Sequence, residues 1–109
     1  MRIWDLPPSC LCRQHLLGEH HELHALWNVL TLGKAGYAAH PETLRWRGKL
    51  AALFRRHELL AAEMTKRGFK HASPLPKRLA RGAPRQRAYV HTPAEQRKLL
   101  RKKGCDCRV

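Results

Sequence analysis

The densest group of side chains able to carry out chemistry lies between residues 14 and 24, where histidines and glutamates alternate with leucines. Histidine and glutamate serve as zinc ligands and as proton carriers. A zinc-protease helix has the order His-Glu-x-x-His, but His21-Glu22 is followed by His24, one residue too early. The pair His20 and His24 has the right separation but is followed by His21 instead of a glutamate. The spacing therefore predicts no metal here.

The four cysteines form two close pairs, Cys10 with Cys12 and Cys105 with Cys107. The N-terminus has no apolar run long enough for a signal peptide, so we expect a cytosolic protein with reduced thiols. Structural zinc sites usually contain Cys-x2–4-Cys, whereas both pairs here are Cys-x-Cys. A metal shared by the two pairs would require the chain ends to meet, and this stays an open alternative.

Positive charge is concentrated in the second part of the chain. Lys and Arg number 22 against 8 Asp and Glu, a net charge of +14. Residues 1–65 hold 8 against 6, a balance of +2, and residues 66–109 hold 14 against 2, a balance of +12. So one-sided an excess favours a nucleic-acid partner, with an acidic protein surface or a membrane as the alternative. No apolar stretch is long enough to cross a membrane, and we expect a cytoplasmic, nucleoid-associated protein.

The histidines and glutamates lie on a segment with helical periodicity. Ser9 follows two prolines and is a candidate cap, which predicts a first helix from about residue 9 to residue 31. Its apolar face holds Leu16, Leu23, Leu26, Trp27 and Leu30. The opposite face holds His15, Gly18, Glu22 and Ala25. Trp27 could pack in the core or stack on a base of a nucleic acid. We assign it to the core, because aromatic residues at helical spacing usually pack there.

The rest of the chain predicts two further helices. Pro41 suits the first turn of a second helix whose apolar stripe runs to Met64, with Gly68 after its end. Residues 73–84 are rich in proline and basic residues and predict an extended linker. Thr92-Pro93-Ala94-Glu95 is a capping box opening a helix that ends near Gly104. We expect one compact all-α domain over residues 1–109, of about three helices.

Three motifs resemble the pyrimidine dimer DNA glycosylase family, which includes the phage endonuclease V. They are Gln14-His15-Leu16 with Glu19 and Glu22-Leu23, then Gly36-Tyr37-Ala38-Ala39-His40-Pro41, then Lys49-Leu50 with Lys66-Arg67-Gly68-Phe69. The resemblance covers residues 1–75, so residues 76–109 are a basic C-terminal extension. It implies that the α-amine of the first residue attacks C1′ of the damaged nucleotide, and that the resulting imine permits strand cleavage by β-elimination.

The family's nucleophile matches Met1, and its catalytic carboxylate matches Glu22. Arg2 is too bulky a second residue for removal of the initiator methionine to be expected. An α-amine has a reference pKa of about 7.7–8.0, against about 10.4 for lysine, so a useful fraction is unprotonated near neutral pH. Glu22 would stabilise the oxocarbenium-like sugar and then move protons. The resemblance implies neither a metal nor an organic cofactor.

The resemblance also implies contacts with DNA. Arg2, Gln14, His15 and Gly18 match positions near the DNA, and His21 stands where the family has an arginine. A second family arginine is replaced by Ala25, and both departures bear on the preferred lesion. Independently of the family, the charge excess predicts phosphate contacts from Arg97, Arg101 and Lys102.

These observations predict a monomeric DNA repair glycosylase with abasic-site (AP) lyase activity on damaged double-stranded DNA. The lesion would be a pyrimidine dimer or a related damaged pyrimidine. The alternative is a non-catalytic basic helical protein that binds DNA or RNA, for which the charge of residues 66–109 alone would suffice. That alternative leaves the motif around Glu22 unexplained.

Overall fold

The computed structural model describes residues 2–34, 38–70 and 73–109, and it confirms the predicted all-α class. The described residues form four α-helices: α1 Arg13–Leu32, α2 Pro41–Trp46, α3 Leu50–Lys66 and α4 Pro93–Lys102. They contain no strand beyond one isolated bridge between Lys49 and Gly82. None of these helices combines the length and the apolar character that a membrane span requires.

The start of α1 differs from the prediction. Pro8–Cys10 forms a short 3₁₀ turn, and Leu11 leaves it in extended conformation. The helix therefore begins at Arg13 with Cys12 at its N-cap, and Ser9 does not cap it. Two consecutive prolines fix the backbone in the tight turn, and this accounts for the later start. Gly33, with φ of 67°, ends the helix in the left-handed conformation that glycine adopts readily.

The predicted second helix is two helices, because the chain breaks between Trp46 and Leu50. Gly48 has φ of 72°, which interrupts the helix. The gap admits residues 81–83, whose carbonyls accept from the first amides of α3: Ala51 N–H donates to Arg81 O at 2.8 Å. A Cβ at Gly82 would overlap the Gly48 carbonyl, so the two segments approach each other as closely as glycine allows. The predicted linker thus caps α3.

The core lies between α1 and α3 and confirms the assignment of Trp27, which is 2% exposed. Residues 2–11 cover one end of this helix pair, and α4 adds Leu100. Among the described residues, the largest fully buried apolar side chains are Ile3, Leu11, Leu16, Leu23, Leu26, Trp46, Leu53, Leu60 and Leu100. The predicted capping box of Thr92 and Glu95 forms at the start of α4. Gly68 follows α3 with φ of 84°, as predicted.

Candidate active site

Five of the residues predicted from the sequence line a single cleft of about 520 Å³: Arg2, Gln14, His15, Gly18 and Glu22. Four of them lie on α1: Gln14, Gly18 and Glu22 follow one another at intervals of four residues, and His15 precedes Gly18 by three, which places them on one side of the helix. The remaining lining residues are Trp4, Glu19, His40, Leu99 and Lys103. A larger, mostly apolar groove of about 770 Å³ contains none of the predicted site residues. The cleft is therefore the better candidate for the chemistry.

Glu22 is partly buried in the cleft wall. Within the described ranges, it has neither a hydrogen-bond partner nor an ion-pair partner. Gly18 lies one turn earlier, and a Cβ added there would meet nothing within 4 Å outside its own helix and chain neighbours. The helix therefore presents a bare stretch of backbone beside a carboxylate that the described residues leave unengaged. A sugar-phosphate backbone could approach closely at this point.

The second acidic side chain lining the cleft, Glu19, has a different environment. It is 2% exposed, and Arg56 pairs with both of its oxygens, Nε at 2.6 Å and Nη2 at 2.9 Å. Burial raises the pKa of the Glu19 carboxyl, while the Arg56 guanidinium opposes that shift. Arg56 also donates to the carbonyl of Leu6 at 2.6 Å. The Glu19–Arg56 pair thus joins α1, α3 and the N-terminal segment, whereas Glu22 has no such partner among the described residues.

Met1 lies outside the described residues, but the segment that follows it is held firmly. The Ile3 N–H donates to Glu42 Oε2 at 3.0 Å, and the Ile3 carbonyl accepts from Arg45 Nη2 at 3.0 Å. The Asp5 N–H donates to Gln96 Oε1 at 2.7 Å. Both sides of this extended segment therefore have partners, which fixes where the chain enters the cleft at Arg2.

A buried polar network underlies that segment. Arg45 is 8% exposed, and its guanidinium pairs with Glu42 and with Asp5, the latter at 2.8 Å. Gln96 of α4 donates to the same Asp5 carboxylate at 2.9 Å. Arg45 further donates to the Ala88 carbonyl at 3.0 Å. Sequence reasoning missed all four side chains, because the partners in this network are up to 91 residues apart.

Positive charge and an aromatic ring lie at the mouth of the cleft. The Arg2 guanidinium lies over the Trp4 ring, 5.1 Å from its centroid, and the His15 and Trp4 rings are nearly perpendicular with centroids 5.9 Å apart. Burial lowers the pKa of the His15 imidazole, and the positive charge of Lys103 lowers it further. Lys103 was not predicted as a site residue, although the run of basic residues at the end of α4 was a signal that could have indicated it.

The other predicted DNA contacts lie away from the cleft. His21 is exposed on α1 and is not among the lining residues. Lys102 is exposed at the end of α4, and Arg101 donates to the Val109 carbonyl at 2.5 Å. Arg97 is partly buried and also lies outside the cleft lining. DNA binding by these four residues stays a prediction.

Two groups of described side chains have the proximity that a metal ion needs. One is Cys12, His15, Cys105 and Cys107, and the other is His20, His24 and His57. His24 Nε2 and His57 Nε2 are 3.2 Å apart. The spacing argument that predicted no metal considered neighbours along one helix, whereas both groups join distant parts of the chain.

Comparison with known proteins gives one match. A family model described as pyrimidine dimer DNA glycosylase matches residues 1–77. No curated protein and no solved structure matches the chain. The matched residues include α1, α2 and α3 and every lining residue of the cleft except Leu99 and Lys103. The resemblance identified from the motifs over residues 1–75 is thereby confirmed.

Proposed function

Because the chain belongs to the pyrimidine dimer DNA glycosylase family, we propose that it excises a damaged pyrimidine from double-stranded DNA and then nicks the strand as an AP lyase. The observation that carries the proposal is the cleft in which Glu22 lies beside Arg2, Gln14 and Gly18. The residues that the resemblance matches to the family's catalytic carboxylate and to its DNA-contacting positions therefore line one cavity. The lesion would be a pyrimidine dimer or a related damaged pyrimidine.

The proposed nucleophile is the α-amine of Met1. Its lone pair attacks C1′, the bond from C1′ to the base breaks, and the base leaves with the electron pair and gains a proton. Opening of the sugar ring gives an imine between C1′ and the amine. Removal of a proton from C2′ then expels the 3′ phosphate by β-elimination. This sequence needs an unprotonated amine and a nearby group that accepts and returns protons.

Two observations support Met1 in this role. Arg2, to which Met1 is bonded, lines the cleft that contains Glu22, and one residue extends the chain by only about 3.8 Å. The segment behind it is held by Glu42, Arg45 and Gln96, so the amine would be directed by a fixed backbone. A positioned nucleophile avoids the entropic cost of ordering a mobile one.

Glu22 is proposed as the proton carrier and as the charge that stabilises the electron-poor sugar. Its carboxylate has no partner among the described residues, so it could face the developing positive charge at C1′. The cleft volume of about 520 Å³ falls within the range of about 300–1,000 Å³ typical of small-molecule sites. It could therefore admit a nucleotide displaced from the stack. Lesions that already weaken stacking lower the cost of that displacement.

Strand cleavage of a duplex containing a pyrimidine dimer tests this function. Glu22→Gln keeps the shape of the side chain and removes its basicity, so single-turnover cleavage should fall by about 10²–10⁴-fold while DNA binding persists. Glu58→Gln is the matched control, since Glu58 is an exposed glutamate lining the other groove. It should cleave like the wild type. Equal cleavage by both variants would remove Glu22 from the mechanism.

The same assay separates the alternative of a non-catalytic nucleic-acid-binding protein. That protein would bind damaged and undamaged duplexes in a salt-dependent way through the basic residues 66–109 and leave both strands intact. Folded wild-type protein that binds but never cleaves would favour the alternative.

A further inference from the structure

We propose that Cys12, His15, Cys105 and Cys107 bind one zinc ion in a closed structural site beside the cleft. The ligand atoms of these four side chains all lie within 4.8 Å of one another. His15 Nδ1 is 3.1 Å from Cys12 Sγ and 3.4 Å from Cys107 Sγ. The cluster joins the first turn of α1 to the last residues of the chain, more than 90 residues away.

The donor set is the one that zinc prefers. Three sulfurs and one imidazole form one of the usual tetrahedral structural sites, with Zn–S of about 2.3 Å and Zn–N of about 2.0–2.1 Å. Those bond lengths separate tetrahedral ligand atoms by about 3.5–3.8 Å in this donor set. The two His15–sulfur separations, 3.1 and 3.4 Å, are slightly shorter, and no pair of ligand atoms is more than 4.8 Å apart, so small side-chain movements would bring the four atoms to that spacing. Four protein ligands would leave no open position, which indicates a structural and not a catalytic metal.

A backbone amide already supports one of the sulfurs. The Cys12 N–H donates to Cys107 Sγ at 3.1 Å. Cys12 is the N-cap of α1, so its sulfur lies at the start of the helix that carries His15. Gly104, with φ of 64°, turns the chain after α4 and brings Cys105 and Cys107 back toward α1. Such surrounding contacts orient the ligands.

The fourth cysteine provides an internal comparison. Cys10 lies two residues from Cys12 and is also a free thiol, yet it is not part of the cluster. Proximity along the sequence therefore does not explain which cysteines come together. The geometry selects one cysteine of the first pair, both of the second pair and a histidine one turn into α1.

The site would stabilise one wall of the cleft. His15 and Lys103 both line the cleft. His15 would itself be a ligand, and Lys103 lies just before the ligand Cys105 in the chain. The Arg108 N–H also donates to the Cys10 carbonyl at 2.7 Å, so the two segments already meet through their backbones. Coordination through His15 Nδ1 would fix the ring and leave Nε2 as a donor. Since ligand thiols lose their protons on binding, metal uptake should release protons.

Metal analysis of the full chain, purified under reducing conditions without chelator, tests the proposal. We expect about one zinc per chain for the wild type and for the control Cys10→Ser. Cys107→Ser should retain less than about a tenth of that zinc, because a missing ligand weakens a closed site strongly. Replacing zinc with Co²⁺ in the unaltered protein should give thiolate-to-cobalt charge-transfer absorption together with the strong visible bands of tetrahedral cobalt.

The cobalt spectrum needs no substitution, so it decides the question even if Cys107→Ser fails to fold. Co²⁺ bound without thiolate charge transfer would place it on another site, such as His20, His24 and His57, and would overturn the proposal. Equal zinc in Cys107→Ser and Cys10→Ser would overturn it as well. So would a folded, reduced wild type that binds neither zinc nor Co²⁺.

Discussion

Residues 1–77, which the family model covers, and residues 78–109, which it does not, differ in structure and in what they bring to the cleft. The first part forms α1, α2 and α3 and nearly all of the core. The second part is mostly exposed and extended around the single helix α4, and it carries much of the positive charge. Its interior contacts are few but specific.

Most of those contacts lie around the cleft, and the others hold the start of α3. Gln96 binds Asp5 and the N-terminal backbone, while Leu99 and Lys103 line the cleft wall. Residues 81–83 cap α3, and Cys105 and Cys107 meet Cys12 and His15. The comparison teaches that the boundary of the family match does not divide the structure. We infer that residues 1–77 supply the catalytic groups and that residues 78–109 stabilise the cleft and bind DNA.

The largest expected effect comes from Arg45, where the two parts share one buried network. Arg45→Met leaves the buried Glu42 and the partly buried Asp5 without their cation, and removing one partner of a buried ion pair typically costs about 3–5 kcal/mol. The control is Arg47→Met, because Arg47 is exposed on the same segment and bonds only the Ala38 carbonyl among its described neighbours. It should cost about 0.5 kcal/mol or less. Urea unfolding of both variants measures the difference, and equal losses would mean that the network contributes little to the fold.

A smaller effect is expected in DNA binding, where the basic residues of α4 outside the cleft should differ from Lys103, which lines it. Replacing Arg97, Arg101 and Lys102 with Ala should flatten the log–log salt dependence of DNA binding by up to about three contacts, at about 0.9 per contact. Cleavage at saturating protein should hardly change. Lys103→Ala should alter the slope by at most about one contact and slow cleavage, since Lys103 lines the cleft. An unchanged slope for the triple variant would show that α4 faces away from DNA.

The smallest effect concerns Gly18. Alanine is favoured over glycine inside a helix by about 0.5–1 kcal/mol, and a Cβ at this position meets nothing within 4 Å in the protein beyond its own helix. Gly18→Ala should therefore raise the free energy of unfolding slightly. If DNA approaches the backbone here, the same substitution weakens binding to damaged duplex. A variant that is more stable and binds normally would show that the DNA passes elsewhere.

Features that depend on neighbouring residues could be predicted from the sequence, whereas features that depend on contacts between distant segments could not. The face of α1 that carries His15, Gly18 and Glu22 follows from helical periodicity, and the Thr92 cap follows from four adjacent residues. The start of α1 was wrong because the turn after Pro7 and Pro8 outweighed the capping preference of Ser9. The break at Gly48 was missed because its stabilising partners are residues 81–83, and periodicity does not report contacts across the chain.

The candidate site shows the same limit. Asp5, Arg45 and Gln96 meet across 40 to 91 residues, so nothing in their local sequence marked them as partners. The meeting of Cys12 with Cys107 was open in the sequence and depended on where the chain ends lie. The predictions that involve Met1, Gly36 and Tyr37 fall outside the described residues.

Borohydride trapping on a duplex with one abasic site tests the central claim most directly. Reduction converts an imine to a stable bond, so the wild type should form a covalent adduct, and peptide mapping by mass spectrometry should place the DNA on the α-amine of Met1. Protein with an added residue before Met1 should trap at least about 100-fold less while remaining folded, as expected for a displaced catalytic group. An adduct on a lysine such as Lys34 or Lys49, or equal trapping by the extended protein, would contradict the account.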